Sequence, residues 1–363
     1  MKTHFEVIVP DEQFWVQYRA LWQNSLFPSP FQSPQLLQSH SGHARQDGEI
    51  IAYCGLSDQS LIGAAVFLKN KKTISFLSDL KTDANFFILH QQCSAELMEQ
   101  FFRHFFHIAK KENWTLLLNY QPSWATYMEI LDQAGRASGL YWRNISYSVC
   151  PVTANETPGA LFSRLDGLRD FRYAANRLKK QEQAVFEAFT CDTDMALWAD
   201  EFCRAHARRW AGTPTPSAYR DPARQRFLKN CLNAWLADRI LVRFSVKAGQ
   251  QRIGFAIGLL EQDTLIFHAT TFEPDYKKYS PGKALLHFIA QWMAEHQIRL
   301  LDFGDGNEAY KYEVAEEERP LSRIFAARPL NLPFRLKTET IRLIRNNPKT
   351  YDFYREKLKR LFR

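Results

Sequence analysis

The residues best suited to chemistry fall in one stretch, 264–314. His268 is the strongest base there by type, since an imidazole titrates near neutrality; a histidine satisfied within the core is at least as common a reading. The run Ser280-Pro281-Gly282-Lys283 has the makings of an anion site. The first turn of a helix carries unpaired N–H groups and a partial positive charge. Gly282 has no Cβ and lets a ligand approach the backbone, and Lys283 adds a cation. An ordinary capped helix explains the same residues and is the commoner case. The run is not a Walker loop, which would need Gly where Lys277 stands and Ser or Thr where Ala284 stands. His206 and Arg209, three residues apart, share a helix face and could clamp an acceptor or a phosphate; cations closing a helix against its dipole are the plain alternative. No Ser/His/Asp or Cys/His nucleophile set is apparent. No two histidines share an i, i+4 face beside a carboxylate in this stretch, so no metal is expected.

The elements that must position these residues are legible. Residues 264–272 are β-branched and aromatic, bounded by Asp263 and Pro274, and read as a strand. Ser280 stands where an N-cap belongs, with Pro281 at the first helical position. The helix runs to about Glu295, with Leu285, Leu286, Ile289, Trp292 and Met293 at helical spacing. A second strand over 298–303 breaks at Gly304 and Gly306.

At 363 residues and 45% hydrophobic content, the chain can bury a sizeable core and form two domains. No apolar run is long enough for a transmembrane helix, and the N-terminus lacks the pattern of a secretory signal. Six scattered cysteines with no C-x-x-C pair read as reduced core residues, so a cytoplasmic location is expected. Of the net charge of +8, residues 335–363 contribute +7. The body is therefore nearly neutral, and a general nucleic-acid-binding surface is not implied.

One element order occurs twice. Strand, helices, three-strand meander, helix and strand are expected over 5–120, with a helix at 123–134 and a strand at 141–149 after them. The same order returns over 185–303, with a last strand at 323–327. Two tandem domains of one fold follow. We expect a degenerate N-terminal domain over 1–155, because Cys93-Ser94-Ala95 stands where the second copy has Ser-Pro-Gly-Lys. A catalytic domain is expected over 156–330 and a basic helical tail over 331–363. Residues 161–183 read as a basic helix, either a solvated face or a phosphate-contacting arm. In the tail, Tyr351, Tyr354, Leu358, Leu361 and Phe362 line one side, suited either to an anionic membrane or to packing on the body.

The run from Asp275 to Leu286, followed by Asp302-Phe303-Gly304, Gly306, Glu308 and Tyr310-Lys311, resembles the GNAT N-acyltransferase superfamily. Its pattern is that of acetyltransferases associated with cellulose and exopolysaccharide synthesis, a branch similar to the FemAB-type peptidyltransferases. The likeness is specific over 241–329. It implies an α/β (α+β) chain of two tandem GNAT-like domains, each a mixed, mostly antiparallel sheet flanked by helices. It implies that the helix after the fourth strand holds the pyrophosphate of acetyl-CoA or another acyl-CoA, with Ser280, Gly282, Lys283 and Ala284 at the contact. Tyr279-Ser280-Pro281-Gly282 replaces the family's usual glycine-rich turn. Strands four and five are expected to splay, with the thioester in the gap near backbone amides of Thr270 or Thr271. Direct transfer then needs an acid for the thiolate and a base for the amine. Tyr310 ranks first for these roles, Glu308 second and His268 third, with His206, Arg209 and Lys311 on the acceptor. The expected activity is an N-acetyltransferase acting on an amine of a sugar, amino acid or cell-envelope precursor. A FemAB-like aminoacyltransferase using charged tRNA and a non-catalytic scaffold peripheral at the inner face of the membrane are the alternatives.

Overall fold

A computed structural model describes residues 3–44, 46–154 and 157–347. In chain order the elements are β1 (Thr3–Ile8), α1 (Glu12–Gln23), α2 (Pro34–Ala44), β2 (Glu49–Ser57), β3 (Ser60–Asn70), β4 (Thr73–Phe76), β5 (Ile88–Leu89), α3 (Ala95–Lys111), β6 (Thr115–Pro122), α4 (Met128–Ala137), β7 (Tyr141–Val152), α5 (Ala160–Gly167) and α6 (Arg169–Gln181). There follow β8 (Val185–Phe189), α7 (Met195–Arg209), α8 (Pro222–Ala237), β9 (Leu241–Ala248), β10 (Gln251–Glu261), β11 (Thr264–Phe272), α9 (Pro281–Glu295), β12 (Leu300–Asp302), β13 (Glu317–Ala327) and α10 (Leu332–Asn346). The doubled element order is present, and strand and helix positions agree closely with the sequence reading over 241–303. The expected single helix over 161–183 is two helices, because Leu168 adopts an extended backbone (φ −81°, ψ 115°) between α5 and α6.

The chain forms two compact units, residues 1–26, 44–147 and 320–363 in one, residues 27–43 and 148–319 in the other. These limits differ from the expected 1–155, 156–330 and 331–363, chiefly in the segment 27–43 and in β13. In the first unit β1, β2, β3 and β4 are antiparallel neighbours. β6 joins β4 in parallel, and β13 pairs antiparallel with β6. α3 buries Phe101, Phe102, Phe105 and Phe106 on this sheet, a stripe at i, i+1, i+4 and i+5 that an amphipathic helix turns inward. α10 lies on this unit: Glu339 accepts from Tyr141 Oη at 2.8 Å and from Arg143 Nε at 2.7 Å. The residues expected to line the rest of the tail, from Tyr351 onward, lie outside the described residues.

In the second unit β8, β9, β10 and β11 are antiparallel neighbours. β12 joins β11 in parallel, and β12 is flanked by the end of β7 through Asp302 and Val152. The core joins α9 and α5 to the sheet through Leu285, Ile289, Phe244, Leu265, Phe267 and Leu165. Residues 27–43 belong to this unit by contact: the Trp235 indole donates to the Pro30 carbonyl at 3.1 Å, and the His40 ring stacks on Phe227 at 5.3 Å.

Candidate functional site

Three features of the second unit converge near the end of β11. The first is an open strand edge. β12 pairs with β11 only from Thr264 to Ile266, and β11 runs on to Phe272 with no β12 residue opposite. A bulge lies just past the last pair: Phe267 opposes Gly258 and Ala269 opposes Ile257, leaving His268 as the extra residue. A bulge bends a strand and increases its twist, which turns β11 away from its neighbour. Arg209 Nη1 lies 3.5 Å from the Thr270 carbonyl oxygen. In an extended strand the N–H of a residue points to the same side as its C=O, so the Thr270 amide also faces this edge. The Thr270 hydroxyl is committed to the Phe255 carbonyl at 2.9 Å. Thr271 is fully buried, and its hydroxyl finds no hydrogen-bond partner among the described residues. Of the two expected amides, that of Thr270 faces the gap and that of Thr271, one residue along the strand, faces β10.

The second feature is the turn after β12. Asp302 Oδ1 accepts from the Gly304 N–H at 2.7 Å, and Gly304 and Gly306 take left-handed backbones (φ 64° and 112°) that suit glycine. The Lys311 ammonium enters this loop and donates to the carbonyls of Gly304, Asp305 and Gly306 at 3.3, 2.8 and 3.1 Å. It also pairs with Glu308 at 3.0 Å. Lys311 is 4% exposed. Its expected role on the acceptor is therefore replaced by a structural one: it clamps the loop from which Tyr310 projects. Glu308 is held by that clamp, with its side chain 60% exposed. Tyr310 is 39% exposed, with its ring edge-on to Phe303 at 6.5 Å between centroids.

The third feature is Arg209, the last residue of α7. Its guanidinium lies 4.3 Å from the Phe272 ring centroid and is near enough to Tyr310 to interact electrostatically. No carboxylate pairs with it among the described residues, and burial lowers its pKa below the usual arginine range. Three other arginines of this unit are matched. Arg208 meets Glu273 and Asp275 at 2.6 and 2.8 Å, Arg252 meets Glu187 and Glu201 at 3.1 and 3.0 Å, and Arg164 meets Glu316 at 3.2 Å. Desolvating a cation without a counter-charge is costly, so Arg209 is the part of this site most in want of an anion. Sequence spacing placed Arg209 on the His206 face but could not reveal the missing carboxylate. His206 itself is bonded through Nδ1 to Ser217 Oγ at 2.8 Å and packs on Tyr219 and Trp210.

The start of α9 differs from the expected anion cradle in several respects. Ser280 occupies the N-cap in a left-handed backbone (φ 53°, ψ 56°), and its side chain makes no capping bond. The amides of Lys283 and Ala284 already bond to the Ser280 carbonyl at 3.0 and 3.2 Å, and Pro281 has no N–H. The Gly282 amide is left for a ligand, and a Cβ built on Gly282 meets nothing within 4 Å. Lys283 is ion-paired with Glu313 at 2.6 Å and Asp170 at 3.3 Å, and the Glu313 contact holds its pKa up. Ala284 is fully buried. Gly282 is thus the one residue of the four whose geometry suits a phosphate; Lys283 fastens the α9 start to the Tyr310 turn, and Ala284 is core.

His268, expected as a base, is half-buried, with its ring packed against Phe31 and Trp235 at 5.4 and 5.3 Å between centroids. No group of three or more His, Cys, Asp or Glu able to hold a metal occurs among the described residues.

Comparisons with known proteins fit this arrangement. Residues 166–312 match the family model described as an acetyltransferase (GNAT) domain. No curated protein matches the sequence. Among solved structures, FemX aligns over 91% of this chain and 99% of its own, with a TM-score of 0.62 at 11% identity. L-PGS from Bacillus licheniformis aligns over 92% and 98%, with a TM-score of 0.57 at 12% identity. The C-terminal domain of a putative lysylphosphatidylglycerol synthetase from Agrobacterium fabrum aligns over 86% and 91%, with a TM-score of 0.54 at 11% identity. The matched segment spans α6 to the Tyr310 turn and so contains the open β11 edge, the Lys311 clamp and Arg209. Residues 166–312 thus resemble a GNAT acetyltransferase domain, and the chain as a whole shares its fold with FemX.

Proposed function

We propose that this protein is an N-acyltransferase that moves an acyl group from acyl-CoA directly to an amine. The observation that carries the reading is the open edge of β11, with the Thr270 amide on it and Tyr310 and Arg209 beside it. The Thr270 N–H would face the oxygen that becomes negative as the amine nitrogen bonds to the thioester carbon. As the carbon–sulfur bond breaks, the Tyr310 hydroxyl supplies the proton that the departing thiolate takes. The proton lost by the amine passes to solvent or to Glu308, whose exposed carboxylate stands on the same turn. No side chain need form a covalent intermediate. Phosphates of the donor would meet the Gly282 amide, where no side chain stands in the way.

Arg209 makes an acceptor with an anionic group, such as a carboxylate, the natural choice, since its donors are otherwise unused apart from the Thr270 contact. This narrows the expected sugar, amino acid or envelope precursor to an acidic amine. The test is mass-spectrometric detection of acylated product from acetyl-CoA and a panel of amino acids and amino sugars. Tyr310→Phe should lower kcat about 100-fold while leaving donor affinity within about twofold. Product formation unchanged in that variant would remove Tyr310 from the chemistry.

A second donor has one observation in its favour. The exposed side of α6 presents Arg169, Arg172, Tyr173, Arg177 and Lys180 around a groove of about 350 Å³, and neither Arg169 nor Lys180 forms an ion pair among the described residues. Such a strip suits a carrier with more phosphates than CoA, as in charged tRNA. RNA binding that falls steeply with salt would support it.

A further inference from the structure

The first unit also holds an arginine that lacks an acceptor. Arg323 sits at a bulge between β13 and β6: Ser322 opposes Gln121 and Ile324 opposes Leu118, which leaves Asn119 and Tyr120 against Arg323. Tyr120 takes a left-handed backbone (φ 51°), which a tyrosine rarely adopts. A bulge re-aims a side chain, and here the Arg323 guanidinium lies over the Tyr147 ring, 4.2 Å from its centroid. Arg345 of α10 lies over the same ring at 4.4 Å, and Tyr120 meets Tyr147 edge-on at 5.4 Å between centroids. Among the described residues Arg323 donates no side-chain hydrogen bond and pairs with no carboxylate; its Nε is sealed from solvent without an acceptor. Asp79 reaches it electrostatically, but the Asp79 oxygens accept from Asn119 and Asn85 at 2.7 and 2.6 Å. The neighbouring Ser322 hydroxyl is likewise buried without a partner among the described residues. The face of Tyr147 offsets part of the cost of desolvating the cation, but it takes none of these donors.

We propose that Arg323 and Arg345, held on the Tyr147 ring, bind a phosphate group. The unused groups of Arg323 and Ser322 are donors, and phosphate oxygens accept. The planar guanidinium fork matches an oxyanion in shape as well as charge. A phosphate monoester brings nearly two negative charges at neutral pH, enough for two guanidiniums on one ring, whereas a carboxylate brings one. Arg323, Tyr147 and Arg345 are all half-buried, so the site is open to a small ligand without a change of fold. All three belong to the first unit. The site therefore shares no residue with the Gly282 amide or with Arg209, and its binding does not depend on the proposed reaction.

The experiment is calorimetric titration of the full chain, at low salt, with inorganic phosphate, glycerol 1-phosphate and acetate. The wild type should bind phosphate or its ester with millimolar affinity and acetate at least roughly tenfold more weakly. Tighter binding of glycerol 1-phosphate assigns the site to a phosphate ester, and tighter binding of inorganic phosphate to the free ion. Arg323→Met should weaken binding at least roughly tenfold. Its thermal melt should match or exceed that of the wild type, since the change removes an uncompensated cation. Arg345→Met, at the other guanidinium, should weaken binding as well. Arg209→Met and Gly282→Trp, both in the second unit, should bind phosphate like the wild type. A wild type that takes up neither phosphate probe would overturn the proposal, as would equal affinity in Arg323→Met or equal binding of acetate. Binding lost in Arg209→Met or Gly282→Trp but kept in Arg323→Met would overturn it too, by placing the phosphate in the second unit.

Discussion

Arg209 lays its guanidinium 4.3 Å from the ring centroid of Phe272 and meets no carboxylate among the described residues, while Arg208 beside it binds Glu273 and Asp275. Adjacent arginines on one helix end thus serve different ends. Arg208 ties α7 to the turn after β11, and Arg209 waits for a charge that the described residues do not supply. The prediction for Arg209→Met follows. Removing a half-buried, uncompensated cation should leave the fold as stable or stabilise it by up to about 1 kcal/mol. The same change should raise KM for an acidic acceptor by roughly 10- to 100-fold with donor affinity unchanged. Thermal melts and acceptor kinetics check the two halves. A destabilised variant with normal KM would make Arg209 structural.

Lys311 is the counterpart case, a buried cation fully used by the fold. Lys311→Met leaves the carbonyls of Gly304, Asp305 and Gly306 without their donor. The expected cost is about 2–3 kcal/mol in urea denaturation. Hydrogen exchange at the amides of residues 304–311 should quicken, because the clamp restrains them. Unchanged exchange there would show that the loop holds itself.

The segment 27–43 completes the second unit through Phe31, which is 1% exposed and packs on His268. Phe31→Ala should cost about 3 kcal/mol, read from urea denaturation. A loss below about 1 kcal/mol would mean that Phe31 is not a real part of this core.

Asp79 in the first unit predicts a pH effect. Burial pushes its carboxyl up to about 6 from an ordinary 3.8, against the lowering effect of hydrogen bonds from Asn119 and Asn85 and of the Arg323 charge. A raised carboxyl favours folding while it is protonated and loses that contribution as pH rises through the folded value. Between about pH 4 and pH 6, wild-type stability should fall relative to Asp79→Asn, by up to about 3 kcal/mol. Denaturation of both proteins across that window measures the difference. A constant difference would mean that Asp79 stays ionised in the folded state.

Much of this architecture was legible because local rules and tertiary needs agree. Pro281 opens a helix, Asp263 and Pro274 bound a strand, and the paired element orders announce two similar units. What escaped the sequence was set by distant contacts. His268 is the right type for a base, but its ring packs against Phe31, some 237 positions earlier. Lys283 has the right type and place for a phosphate, but Glu313 and Asp170 take its charge. Lys311 looks solvated by type and is buried by three carbonyls of its own loop. That no carboxylate among the described residues meets Arg209 has no sequence signature.

The most direct test of the account is calorimetric titration of CoA into the wild type and Gly282→Trp. A Cβ at Gly282 meets open space, so the indole can block the start of α9 without disturbing the core. The account predicts micromolar binding to the wild type and none to the variant, with matching thermal melts. Flat heats with the wild type, or equal affinity in both proteins, would contradict it.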